Sequence, residues 1–252
     1  MPIDPLLARA RGLWEGLAAA PVSFASGGGV SVVASPTSSL CPAGWVGVVS
    51  LGGAAVVTAP TERSAALVRD GLAALPMAAV ADADAVRRVL PVAEVLGPAT
   101  LSYASPDAFL PASPGPLAAQ QLPGDHPALR SLEDAAGEDA GEAALGEITS
   151  PAFVLRAGGR VVAAAGYRSW PGRVAHLSVL TDPAWRGRGF ARVAASAAVT
   201  HAFAAGLLPQ WRARPLASRR VAAALGFQEL GAQLSIRLAG TGAASAGVAV
   251  VP

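Results

Sequence analysis

The 252-residue chain has no lysine and no asparagine, and all 19 of its basic residues are arginine. Both absent residues have A/T-rich codons, so the gap points to a GC-rich bacterial genome more than to a functional demand. Without lysine there is no P-loop, whose phosphate cradle needs Gly-Lys-Ser/Thr. Cysteine occurs once, at Cys41, which excludes an intrachain disulfide and fits a reducing compartment. A lone thiol among apolar neighbours is expected to be inert packing. Long apolar runs are also missing. The longest, about residues 44–60, is too short and too glycine-rich to span a bilayer. Asp4, Arg9, Arg11 and Glu15 interrupt the apolar stretch that a secretion signal needs. A cytoplasmic protein without a membrane partner is the expectation.

What is present is ample core material, with 52% hydrophobic residues against 14% charged. The charge is unevenly spread. Residues 1–155 hold 7 arginines and 15 acids, whereas residues 156–252 hold 12 arginines and 2 acids. A basic half suits a polyphosphate ligand. It also suits electrostatic pairing between the halves. Nucleic acid ranks below both, because apolar residues interrupt the arginines and no basic run forms.

One stretch, residues 173–206, organises the chain. Val174, His176, Val179 and Leu180 lie in an apolar strand that Asp182-Pro183 ends, since proline has no amide hydrogen for a ladder. Gly187 and Gly189 then permit a tight turn. A helix is expected from Phe190 to about Ala205, with Phe190, Val193, Ala194, Ala197 and Phe203 at helical spacing and Gly206 as its stop. A strand, a glycine turn and a helix start make an anion site, because the first-turn amides have no partner and the helix dipole is positive there. Arg186, Arg188 and Arg192 crowd the same turn, and each charge-assisted bond to a phosphate contributes roughly 1.5–3 kcal/mol. The stretch reads as a diphosphate cradle. A dinucleotide fingerprint fits less well, because Arg192 stands where its third glycine would be.

Arg186-x-x-Gly189-x-Ala191, after a strand ending Thr181-Asp182-Pro183, resembles the acyl-CoA signature R/Q-x-x-G-x-G/A of the GNAT N-acetyltransferase superfamily. Downstream, Ser218, Leu225, Gly226 and Phe227 match the second GNAT signature, N-x-x-S-x-x-x-x-x-x-L-G-F, whereas Pro215 replaces its asparagine. The resemblance covers roughly residues 117–238. It implies an α/β chain whose C-terminal part is a GNAT fold, a mixed, mostly antiparallel twisted sheet flanked by helices. It further implies acetyl-CoA as co-substrate, a small-molecule or peptide amine as acceptor, and no metal. The donor would lie along the backbone of Val179, Leu180 and Thr181, where the strand splays from its neighbour. Its phosphates would meet Arg186, Gly187, Arg188, Gly189, Phe190, Ala191 and Arg192, with Ser218 beside the pantetheine arm.

Around this core the chain reads as an N-terminal α/β domain over residues 1–104, with a degenerate GNAT-like half as an alternative reading of it. A proline-rich linker follows at 105–116, then the GNAT domain at 117–238 and a small-residue tail at 239–252. Two short acidic helices, His126–Ala136 and Glu138–Ile148, precede a hairpin turned at Gly158-Gly159. Strands are expected at Gln210–Arg214 and Leu234–Leu238, with a helix at Ala217–Leu225 between them.

The resemblance also marks what is missing. The glutamate base of several GNATs corresponds to Ala175, and the tyrosine acid of many corresponds to Ala222. His176 is the nearest titratable group and the one catalytic candidate, although strand alternation turns it to the face opposite Ala175. Glu147, Tyr167 and Trp170 could border an acceptor pocket, or be solvated and packed residues, as could Trp185. The expected activity is acetyl transfer to an amine by direct attack on the thioester. A GNAT-fold protein that holds CoA without turnover is the alternative.

Overall fold

In the computed structural model, which describes residues 3–113 and 117–240, the chain divides into two compact units. One comprises residues up to Leu101 together with those from Glu229 on, and the other comprises Ser102–Gln228. The positions expected as a tail, 241–252, and part of the expected linker, 114–116, lie outside the described residues.

The first unit opens with α1 (Pro5–Leu17), whose N-terminus Asp4 caps by accepting from the Leu6 amide. It buries Leu6, Ala10, Leu13 and Trp14. It also buries Arg11, whose guanidinium donates to the carbonyls of Leu51 and Gly52 and lies over the Phe24 ring. The sheet runs β1 (Gly29–Ala34), β3 (Ala54–Ala59), β2 (Val46–Leu51), β10 (Gln228–Leu238), β4 (Val92–Tyr103) in spatial order. Gly52 and Gly53 both take positive φ, the geometry a two-residue hairpin between β2 and β3 requires. Helices α2 (Glu62–Leu72) and α3 (Ala83–Val89) complete it. Val46, Val48, Val57, Val68, Leu72, Leu234 and Ile236 meet in its core. Each such side chain contributes about 1.5–3 kcal/mol when fully buried.

Here the sequence reading is corrected in one respect. The strand at Leu234–Leu238, expected within the GNAT domain, is the end of β10 and pairs antiparallel with β2, Leu234 opposite Val48 and Ile236 opposite Val46. Its alternating apolar residues are legible in sequence; the partner that completes their face is not.

The second unit has the spatial order β9 (Leu208–Ala213), β8 (Val174–Thr181), β7 (Arg160–Trp170), β6 (Ala152–Ala157), β5 (Gln120–Leu122). All neighbours are antiparallel except β8 and β9, which run parallel. Ala175 and Leu177 pack into a core with α6 (Phe190–Ala204) and α7 (Leu216–Ala224). Leu180 packs on the opposite face, in a core with Leu129 and Leu132 of α4 (Pro127–Ala136). The second acidic helix is shorter than expected. It is α5 (Glu138–Ala143), broken by left-handed Ala144 before a single 3-10 turn at Leu145–Glu147.

The proline-rich segment also departs from its reading as a linker. Phe109 packs edge-on against Phe203, the Leu110 amide donates to the Leu225 carbonyl, and the Ala112 amide donates to Ser196 Oγ. Proline forbids helix and ladder but not side-chain packing. This passage also explains Gly226, where a Cβ would stand 1.9 Å from the Ala108 carbonyl oxygen.

Candidate functional site

Strand β8 is the axis of the site. It pairs with β9 only at Val174–Leu208, Ala175–Pro209 and His176–Gln210. Beyond that point β8 keeps its ladder with β7 as far as Thr181 but has none with β9. The two strands part into a V whose crotch is His176 and Gln210. The Asp182 amide donates to Val162 on the β7 side. By antiparallel alternation Leu180 also turns its backbone to β7, while Val179 and Thr181 turn theirs into the V. Leu180 is therefore spent on the sheet, with its side chain buried on the α4 face.

Past Thr181, Asp182 caps the short turn Pro183–Trp185 and the chain reaches Gly187 and Gly189, at φ +75° and +77°. Gly189 is the N-cap of α6 and supplies no side chain to its amides; the first helical bond is Val193 to the Gly189 carbonyl. Among the described residues no protein acceptor takes the amides of residues 187–192. Nothing lies within 4 Å of where a Cβ on Gly187 or Gly189 would stand. Phe190 is buried in the core and anchors the helix start. A cavity of about 230 Å³ lies against this turn, lined by Arg188, Gly189, Arg192 and Val193 on one side and Ala112 and Ser113 on the other.

The three arginines differ in their engagement. Arg186 pairs with Asp139 of α5. The Arg188 guanidinium sits over the Trp185 ring, 4.7 Å from its centroid. Arg192 carries a buried Nε with no partner, as does Thr181 at Oγ1. Two orphaned buried polar atoms, open glycines and a row of undonated amides fit a phosphate-bearing coenzyme arm. Ser218 faces β9, where its Oγ accepts from Trp211 Nε1 at 2.9 Å.

At the crotch, His176 shares its face with Ser178, which donates to the Ala144 carbonyl. Its imidazole stacks on Trp170 at 4.2 Å, and its Nδ1 lies 2.8 Å from Gln210 Oε1. Gln210 is fully buried and donates from Nε2 to the Tyr103 hydroxyl, leaving Oε1 to accept from His176. That places the imidazole proton on Nδ1 and the lone pair on Nε2. Burial first, and then the positive charge of Arg212, drive the His176 pKa down to about 3, so the ring is neutral at physiological pH. Of the remaining candidates, Glu147 pairs with Arg168 at 2.7 Å. Tyr167 is core and bonds His201 through its hydroxyl. Trp170 is buried beneath His176. Ala175 and Ala222 are buried in the core beside α6. Sequence reading missed Gln210 and Tyr103. A polar residue inside an apolar strand was the only signal for the first, and nothing in the sequence joins Tyr103 to it.

Residues 150–232 match the family model described as GNAT acetyltransferase. The resemblance to the GNAT superfamily is thereby shown for that stretch, and acetyl transfer is the activity the family name carries. No curated protein matches the chain. Similar solved structures include one described as an acetyltransferase from the GNAT family from Novosphingobium aromaticivorans. It is 25% identical, with 57% of this chain and 65% of that one covered and a TM-score of 0.47. A GNAT-family acetyltransferase from Colwellia psychrerythraea is 18% identical over 58% and 57%, at 0.47. A GCN5-related N-acetyltransferase from Kribbella flavida is 21% identical over 57% and 58%, at 0.44. The chain thus spans less than two thirds of the length of each. Among the described residues no helix is long and apolar enough to cross a membrane.

Proposed function

We propose that the second unit is an acyl-CoA-dependent N-acetyltransferase, with acetyl-CoA as donor and an amine as acceptor. The observation that carries this reading is the parting of β8 from β9 at His176–Gln210, beside a helix start whose amides the protein leaves open. Gly187 to Arg192 would hold the pyrophosphate, and the Val179 and Thr181 backbones with Ser218 would hold the arm. The coenzyme supplies an activated thioester. What the chain supplies is a backbone N–H in the V aimed at the developing oxyanion, worth about 2.7–4 kcal/mol of barrier in comparable sites. His176 Nε2, neutral and accepting, is placed to take a hydrogen bond from the incoming amine. With so low a pKa the ring orients the amine and does not store its proton, which passes to the departing CoA thiolate as the C–S bond breaks.

Ala175 and Ala222, buried where the family's base and acid would stand, favour a second reading in which CoA is held without turnover. One experiment separates the two. Acetyl-CoA should raise the melting temperature under both, whereas thiol release that depends on an added amine occurs only with the enzyme. An unchanged melting temperature at millimolar acetyl-CoA would sink both.

A further inference from the structure

Acetyl transfer removes one proton from a neutral amine but two from an ammonium ion. The amine lone pair attacks the thioester carbon, the C–N bond forms and the C–S bond breaks. From R–NH2 the one proton released goes to the departing thiolate, and the products balance as amide and thiol. From R–NH3+ a further proton has to leave before the attack, because a protonated nitrogen has no lone pair to offer. Among the described residues at the crotch, none is placed to take that further proton. On β8, Ala175 is a buried aliphatic and His176 commits its Nδ1–H to Gln210. On β7, Trp170 stacks on the imidazole, and Arg168, opposite His176, is paired with Glu147. On β9, Gln210 is fixed by Tyr103, and Arg214 is paired with Glu142 of α5. The two carboxylates that act on Arg212 are these same two, each already engaged by another guanidinium. Charge on the ring is opposed by burial, by Arg212 and by Arg168, with only the Gln210 hydrogen bond in its favour.

We propose that the acceptor is a weakly basic amine taken up already neutral, such as the α-amine of a peptide, and not an alkylammonium such as a lysine side chain. The inference rests on the transferase reading above and names the substrate class of that site. An α-amine titrates at about 7.7–8.0 and a lysine side chain at about 10.4, so at pH 7 their neutral fractions differ by roughly 300-fold. An enzyme with a working base erases much of that difference by taking the proton itself. One that only orients the amine inherits it.

The test uses the full chain with acetyl-CoA and measures thiol release across pH with two acceptors. Alanylalanine amide offers an α-amine, and Nα-acetyl-lysine amide offers only an ε-amine. At pH 7 the dipeptide should exceed the lysine compound in kcat/KM by at least about thirtyfold, since the stronger nucleophile recovers part of the roughly 300-fold. The lysine compound should then gain about tenfold per pH unit up to about pH 9, whereas the dipeptide levels off near about pH 8, each following its own amine. His176→Gln should lower kcat/KM for both acceptors and leave the shape of both profiles unchanged. The two profiles of the unmutated protein decide the matter even if that variant folds poorly. Equal use of both acceptors at pH 7, or a break shared by both near about pH 6.5 and lost in His176→Gln, would reveal a protein base and overturn the assignment while the transferase reading survives. Absence of any amine-dependent thiol release would overturn both.

Discussion

Two helix starts, one in each unit, show how the same backbone feature is made structural or left open. In the first unit Thr61 caps α2: its hydroxyl accepts from the Ser64 amide, while the Ser64 hydroxyl accepts from the Thr61 amide. The neighbours α1 and α3 are closed in the same way by Asp4 and Asp82. In the second unit α6 begins at a glycine in the left-handed region, with no side chain returned to its amides. A capped start contributes to the fold's own stability, whereas an uncapped one surrenders that and keeps its positive end for a ligand. Absence of a cap is weak evidence by itself, since α7 starts uncapped at Pro215. At α6 it coincides with an open pair of strands and two orphaned polar atoms.

The contrast is most sharply broken by giving α6 the cap it lacks. Gly189→Asp places a carboxylate over the open amides, in a left-handed conformation that aspartate tolerates. The acetyl-CoA-induced rise in melting temperature should vanish, with affinity falling about 100-fold or more, since one or two charge-assisted bonds of roughly 1.5–3 kcal/mol are replaced by repulsion. Undiminished affinity would mean that phosphates bind elsewhere. The reverse change, Thr61→Ala, removes a cap that serves only the fold. It should lower stability by roughly 1 kcal/mol in denaturant melts, with acetyl-CoA affinity unaltered.

A pH-dependent effect separates the crotch histidine from ordinary surface groups. Because the folded His176 pKa lies near 3, below its ordinary 6.5, the unfolded chain takes up that proton first on acidification. The associated stability is complete above pH 6.5 and is lost as pH falls towards 3. His176→Gln should therefore show a shallower decline in melting temperature between pH 7 and 4 than the unmodified protein; parallel declines would contradict the neutral ring. Smallest is a null result at Cys41. Burial, opposed by a hydrogen bond with Thr58, pushes its thiol up to about 12. A disulfide reagent should leave the folded protein untouched and titrate the thiol only after denaturation, and rapid native reaction would show that the first unit opens there.

The glycine turn, its arginines and α6 were legible in sequence because each depends on neighbours within a few residues: Asp182-Pro183 ends a strand, and Gly189 starts a helix. The proline-rich segment was misread because its partners, Ser196, Phe203 and Leu225, lie more than eighty residues away. β10 was placed in the wrong unit for the same reason: its apolar alternation is local, but β2 is almost two hundred residues distant. His176 could be named as the nearest titratable group, yet neither its tautomer nor its depressed pKa could be read without Gln210, Tyr103 and Arg212.

By itself, the sequence determined the open helix start, because backbone freedom at Gly187 and Gly189 and the want of a capping side chain are properties of adjacent residues. Tertiary structure alone decided that this start borders a gap between two strands, and that a neutral imidazole and two arginines gather at its crotch. Strand partners are chosen by burying whole faces together, and that energy belongs to the assembled sheet and to no single stretch of chain.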